Sequence, residues 1–107
     1  MNLSAASNLL RLLADPTRVR LLALLEGEEL TVAELAAVLQ LAQPRVSTHL
    51  AKLKEAGLVR DRRAGVSAYY RANHEADATT QALLRSLRDC VDDALLREKA
   101  RRRAGRD

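Results

Sequence analysis

Residues 42–71, A-Q-P-R-V-S-T-H-L-A-K-L-K-E-A-G-L-V-R-D-R-R-A-G-V-S-A-Y-Y-R, decide the fold, because one short run specifies an amphipathic helix and then a basic hairpin. Val46, Leu50 and Leu53 recur at i, i+4 and i+7. A helix therefore buries them together and leaves Arg45, Thr48, His49 and Lys52 largely on its other side. Gly57 stops that helix, since glycine adopts the left-handed geometry of a helix end without steric cost. Val59 to Arg63 and Val66 to Arg71 then read as two strands about an Ala64-Gly65 turn. The expectation is a reading helix followed by a basic wing, a combination suited to meeting base edges and phosphates.

The distribution of charge supports this reading more strongly than its total. Residues 1–42 carry three Lys and Arg against five Asp and Glu, residues 43–71 carry seven against two, and residues 72–96 carry two against five. The first 96 residues are thus neutral, with their positive charge gathered in the proposed reading element. The formal +4 of the chain comes from its end, where Arg97, Lys99, Arg101, Arg102, Arg103 and Arg106 oppose only Glu98 and Asp107. A floppy tail can make any chain basic, so the cluster on an ordered element is the more informative signal.

At 107 residues the chain reads as one small domain, with a modest core that a partner subunit would help to cover. Tyr69 and Tyr70 are its only aromatic residues. Leu, Ala and Val must fill the interior, which favours close-packed helices with a small β-hairpin. No apolar run approaches the roughly 20 residues that span a bilayer, and Arg11 interrupts the apolar start where a secretory signal would lie. The single cysteine, Cys90, excludes an intramolecular disulfide framework and fits a reducing, cytoplasmic setting.

Helical spacing of Leu3, Ala6, Leu9, Leu10 and Leu13 predicts a first helix over 3–14. Asp15 and Pro16 open a second, as a cap and a first-turn proline, which runs to about Glu26 and buries Val19, Leu22 and Leu25 with help from Leu21. Thr31-Val-Ala-Glu34 has capping-box spacing and starts a third helix over about 32–39, with Leu35, Val38 and Leu39 inward. With the helix after Gln40–Ala42 it makes a helix-turn-helix, and the wing makes it a winged one. Residues 77–103 read as one long helix striped by Leu83, Leu84, Leu87, Val91, Ala94 and Leu95. Its Arg-rich end either extends the helix or stays disordered. The domain therefore covers 1–107, and its terminal helices, about 3–14 and 77–103, are expected to form a homodimer through Leu9, Leu13, Leu83, Leu87, Val91 and Leu95.

Four runs resemble the ArsR/SmtB family of bacterial winged-helix repressors: Leu13-Ala-Asp-Pro-Thr-Arg-Val-Arg-Leu-Leu22, Glu29-Leu-Thr-Val-Ala-Glu-Leu35, Gln43-Pro-Arg-Val-Ser-Thr-His-Leu50 and Glu55-Ala-Gly-Leu-Val59. The match covers about residues 5–72. The resemblance implies a homodimeric, double-stranded-DNA-binding transcriptional regulator, typically a repressor that releases a pseudo-palindromic operator when an inducer binds. Gln43, Arg45, Ser47, Thr48 and His49 are the expected base or near-base contacts, because the N-terminal half of a reading helix goes deepest. Lys52, Arg62 and Arg63 are assigned to phosphates.

The resemblance does not extend to the family's metal sites. Where one type of site has two cysteines in a pattern like E-L-C-V-C-D-L, this chain has Thr31 and Ala33. A hydroxyl and a methyl cannot replace two thiolates for a soft ion. The other type uses Asp and His along the last helix, but residues 77–103 hold no histidine. No metal and no cofactor is expected. His74, with Glu75 and Asp77 nearby, reads as a solvated connector residue rather than a weak ligand. Cys90 reads as a small residue near the dimer seam rather than half of an intersubunit thiol pair. Ala42 stands where the family often caps the reading helix with serine.

No phosphate loop, cysteine pair or Ser/His/Asp set suggests an enzyme. The alternative of another class is that the chain is the DNA-binding part of a larger, methyltransferase-fused regulator. An interaction module without DNA would leave the basic wing unexplained. Regulation is expected from an unknown small organic molecule near the dimer seam, a partner protein, or concentration alone.

Overall fold

The computed structural model describes residues 1–91 and 94–105, and for residues 94–96 the backbone alone. Side-chain caps place the helix starts. Asn2 accepts a bond from the Ala5 amide and opens α1 (Leu3–Leu13), and Asp15 does the same for Thr17 at the start of α2 (Pro16–Gly27). Strand β1 (Leu30–Thr31) leads directly into α3 (Val32–Leu39), whose capping box is closed in both directions. The Glu34 amide donates to Thr31 Oγ1 at 3.2 Å, and the Thr31 amide donates to Glu34 Oε1 at 2.9 Å. Helix α4 (Gln43–Glu55) starts with no side-chain cap bond, as Ala42 has nothing to offer. Strands β2 (Val59–Ala64) and β3 (Ser67–Ala72) follow, and then α5 (Ala78–Arg88), capped by Asp77, and α6 (Ala94–Ala104).

The architecture is mainly helical, with an antiparallel sheet in the order β1-β3-β2. The hairpin turn is Gly65-Val66, one residue later than expected, and pairs Ala64 with Ser67. Gly65 sits at φ +62°, and a glycine at positive φ in the first place of a two-residue loop suits a II′ hairpin. The short β1 was not legible in the sequence. Two residues carry no period, and Leu30 and Thr31 become a strand only because Tyr70 and Tyr69 of β3 lie opposite them.

A second difference concerns the end of the chain. The helix expected over 77–103 is two helices, since α5 ends at Arg88 and α6 returns across α3, β1 and α2. Arg97 helps to hold the corner by donating to the carbonyls of Arg88, which also accepts from the Val91 amide, and of Val91, at 3.2 and 2.7 Å. Ala100 is buried where α6 lands, its small side chain permitting close approach.

Helix α2 is the hub. Leu21, Leu22, Leu24 and Leu25 are all buried, while Val19, expected inward, is half-buried. It packs on α1, α4, α5, α6 and β3, so more than one of its faces is covered. On α3, Leu35, Ala36 and Val38 are buried and Leu39 only partly. Val46, Leu50 and Leu53 of α4 reach zero exposure and join Leu58 and Val59 beneath the wing.

Candidate nucleic-acid interface

Seating α4 through Val46, Leu50 and Leu53 decides what its other face presents. Gln43, Arg45, Ser47, Thr48 and Lys52 are exposed, and His49 is half-buried. The expected base-reading residues thus lie outside the buried stripe of α4, with Arg45, Thr48, His49 and Lys52 on its far side and Gln43 and Ser47 on its flank. Thr48 Oγ1 donates back to the Pro44 carbonyl at 2.9 Å, so its oxygen faces outward as an acceptor. His49 Nδ1 accepts a hydrogen bond from Arg18 Nε of α2 at 3.2 Å. Burial lowers the His49 pKa, reinforced by the positive charges of Arg18, Arg45 and Lys52 and opposed by Asp15. Partial burial pushes the Asp15 carboxyl up, but the Thr17 and Arg18 amides outweigh this and hold it below its ordinary value.

The approach to α4 is tight. Gln40 ends α3 in the left-handed region, φ 57°, and the Leu41 amide returns to the Ala36 carbonyl at 3.0 Å. At the other end Gly57, φ +77°, turns the chain into β2. Lys54 Nζ meets Asp61 Oδ1 at 2.9 Å and ties the last turn of α4 to the wing.

On the wing, the two arginines assigned to phosphates differ. Arg63 is exposed. Arg62 instead donates from Nε and Nη2 to the Glu29 carboxylate at 2.6–3.0 Å, with its guanidinium 4.8 Å above the Tyr69 ring. Glu29 and Tyr69 therefore organise the wing, a role no periodicity announces. Arg18 was likewise missed as a neighbour of the reading helix, because a polar residue on a mostly apolar helix gives no signal until α2 and α4 cross.

The residues expected at a dimer seam are spread unevenly. Leu9 and Leu13 are buried within the chain, and the exposed apolar side chains of α1 are Leu3 and Leu10, 86% and 57% exposed. Leu83, Leu87 and Val91 are half-buried. The side chain of Leu95 lies outside the described residues. Thr31 is engaged in the capping box and Ala33 is exposed. His74 approaches Glu26 at 3.8 Å, and Glu26 is bridged more closely by Arg88 at 2.6 Å. Among the described residues no group of three or more His, Cys, Asp and Glu is brought together as a metal site would need. A groove of about 550 Å³ runs between α1, the end of α4 and the start of α5, lined by Leu9, Leu12, Leu58, Lys52, Glu55 and Asp77 among others. No helix among the described residues is long and apolar enough to cross a membrane.

A fully seated reading helix, preceded by a capped partner helix and followed by a two-stranded wing, defines a winged helix-turn-helix protein. The family model described as "Bacterial regulatory protein, arsR family" matches residues 15–61. An arsenic resistance transcriptional regulator of Pseudomonas putida is 44% identical over 84 residues, 78% of this chain, which spans 66% of that protein's length. The arsenical resistance operon repressor of Escherichia coli is 35% identical over 103 residues, covering 92% of this chain and 88% of that one. Among solved structures, the homodimeric winged helix-turn-helix DNA-binding domain of a possible ArsR-family regulator from Mycobacterium bovis superposes with a TM-score of 0.69. It is 31% identical and the match covers 85% of this chain and 84% of that domain. The chain belongs to the arsR family of bacterial regulatory proteins.

Proposed function

We propose that the chain is a DNA-binding transcriptional repressor that acts as a homodimer on a pseudo-palindromic operator. The observation that carries this reading is the division of α4 into a stripe with zero exposure, Val46, Leu50 and Leu53, and an exposed remainder whose first two turns present Gln43, Arg45, Ser47 and Thr48. The homodimeric neighbour and the relatives named as regulators and repressors support it. Two reading helices in successive major grooves lie about 34 Å apart, one turn of DNA. Lys52 and Arg63 meet phosphates, and Arg62 joins them by exchanging Glu29 for the DNA backbone. The half-buried stripe of Leu83, Leu87 and Val91 joins the exposed face of α1 in the seam between protomers.

The inducer differs in kind from the metal ions of the family's usual sites. Thr31 and Ala33 offer no thiolate, and the hydroxyl of Thr31 is committed to the Glu34 amide. Zinc, cadmium and arsenite at micromolar levels leave the DNA complex intact. A small organic molecule in the groove beside α1 and α4 would act directly on the end of the reading helix.

Fluorescence-anisotropy titration on the DNA upstream of the gene tests the reading. Arg45→Ala flattens sequence preference, whereas Arg63→Ala weakens all sequences alike and lowers the salt slope by about 1. An Arg45→Ala protein that binds its operator as tightly as the parent overturns the assignment of α4. Stoichiometric metal binding that releases DNA overturns the inducer reading.

A further inference from the structure

Arg18 of α2 and His49 of α4 form the one contact through which the hub helix grips a side chain on the far side of the reading helix, among the hydrogen bonds described. The bond has chemical direction. A guanidinium has only donors, so at 3.2 Å the Arg18 Nε–H donates and His49 Nδ1 must present its lone pair. A neutral imidazole with Nδ1 unprotonated carries its proton on Nε2. The guanidinium is itself fixed on its other side, where Nη1 donates to the Leu12 carbonyl at 3.1 Å, one of the last carbonyls of α1. Arg18 is half-buried and sits beside Asp15, so it is a held group and not a trailing surface side chain.

We propose that Arg18 is a positioning residue that sets His49 in its Nε2–H form and so makes the middle of the reading helix a hydrogen-bond donor toward the edge of a guanine. This inference rests on the DNA-binding reading above. In the major groove guanine offers N7 and O6 as adjacent acceptors, whereas cytosine offers the N4 amino donor. A ring protonated on Nε2 fits the first and repels the second, while the opposite tautomer reverses that preference. The tautomer thus decides whether the ring seeks an acceptor, of which guanine presents two side by side, or an exocyclic amino group. Partial burial favours the neutral ring, and of the charged groups facing it Asp15 opposes this while Arg18, Arg45 and Lys52 reinforce it. A doubly protonated ring would turn an N–H against the Arg18 N–H and lose the bond.

The chain has two histidines, His49 and His74, so 15N NMR of the imidazoles resolves them, with His74→Gln for assignment. In the free protein His49 shows the Nε2–H tautomer at pH 7. Arg18→Met mixes the two tautomers and raises the pH at which His49 titrates. Arg18→Lys, which keeps the cation but cannot place the Nε–H, mixes the tautomers with less change in titration. It carries the test if the methionine variant is unfolded by circular dichroism. Operator duplexes with 7-deazaguanine at each guanine in turn supply the second readout. At one position the loss of N7 weakens the parent about three- to tenfold, the range of one net hydrogen bond. His49→Ala is indifferent to that same substitution, and the Arg18 variants lose most of the discrimination. A parent ring protonated on Nδ1, unchanged tautomers in the Arg18 variants, or no guanine position coupled to His49 each overturns the inference. Failure of the parent to bind any DNA would count instead against the proposed function, and the tautomer remains measurable without DNA.

Discussion

The segment from α3 to β3 and the helix α5 are both amphipathic, yet one finishes its burial inside the chain and the other does not. Val46, Leu50 and Leu53 of α4 have no exposure at all, whereas the only buried residue of α5 is Thr80, and its Leu83, Leu84 and Leu87 stay half-covered. A stripe with the right period thus shows that a face will be covered, not what covers it. In the reading segment the cover is α2 and the wing. On α5 the cover within the chain is partial, and the exposed Leu3 and Leu10 of α1 add to the apolar surface that, on the proposed reading, a second copy would cover.

The contrast breaks most visibly at Leu50. Truncation to Leu50→Ala should lower the unfolding free energy by about 2–5 kcal/mol in urea titrations, since a fully enclosed side chain leaves a cavity. Leu87→Ala, only half-enclosed in the protomer, should cost less than half as much at protein concentrations where dimers dissociate. Equal costs would erase the distinction between the two regions. Leu83→Glu sharpens it from the other side. The protomer should keep its helical circular dichroism while sedimentation shifts to the monomer and operator affinity drops on the order of a hundredfold, because the two half-sites no longer act together. A stable dimer of that variant would place the seam elsewhere.

Smaller effects probe the helix starts. Ala42→Ser supplies the missing acceptor at the head of α4 and should raise stability by about 0.5–1 kcal/mol, read as a rise of roughly 4 °C in thermal midpoint. No gain would mean that the Gln40–Ala42 turn denies the hydroxyl its geometry. The smallest expected change is at Asp77, whose carboxyl is held below its ordinary value by the Thr80 amide and hydroxyl. A carboxyl depressed on folding contributes stability above its unfolded value, about 3.9, and loses it as pH falls through the lower folded value. Asp77→Asn should therefore flatten the decline in thermal midpoint as pH falls below about 4, while changing it little at neutral pH. An unaltered acid limb would assign that decline to Asp15 and other carboxylates.

Most of the reading segment was legible because its signals are local. Gly57, the Thr31–Glu34 box and the 3–4 spacing of Val46, Leu50 and Leu53 each act within a turn or two, where sequence distance and spatial distance agree. The misread places are those where distant segments meet. The single helix over 77–103 continued a period that the structure interrupts at Arg88, where Arg97 folds back and Ala100 finds α3, β1 and α2. Period alone also does not say how deep a side chain goes: on α1, Leu9 and Leu13 are buried within the chain, and Leu3 and Leu10 stand outside.

By itself the sequence determined the winged helix-turn-helix, its capped helices, the exposure of Gln43, Arg45, Ser47 and Thr48 on the reading helix, and the concentration of charge around it. These depend on the repeat of a helix, the conformational freedom of a few residues and the sign of side chains, all carried by neighbours in the chain. Only the tertiary structure decided that Glu29 and Tyr69 hold Arg62, that Arg18 fixes the ring of His49, and that the last helix is two. Those pairings join residues up to 33 positions apart. A polar side chain carries no mark of the partner that packing will bring to it, so nothing short of the folded chain could have named them.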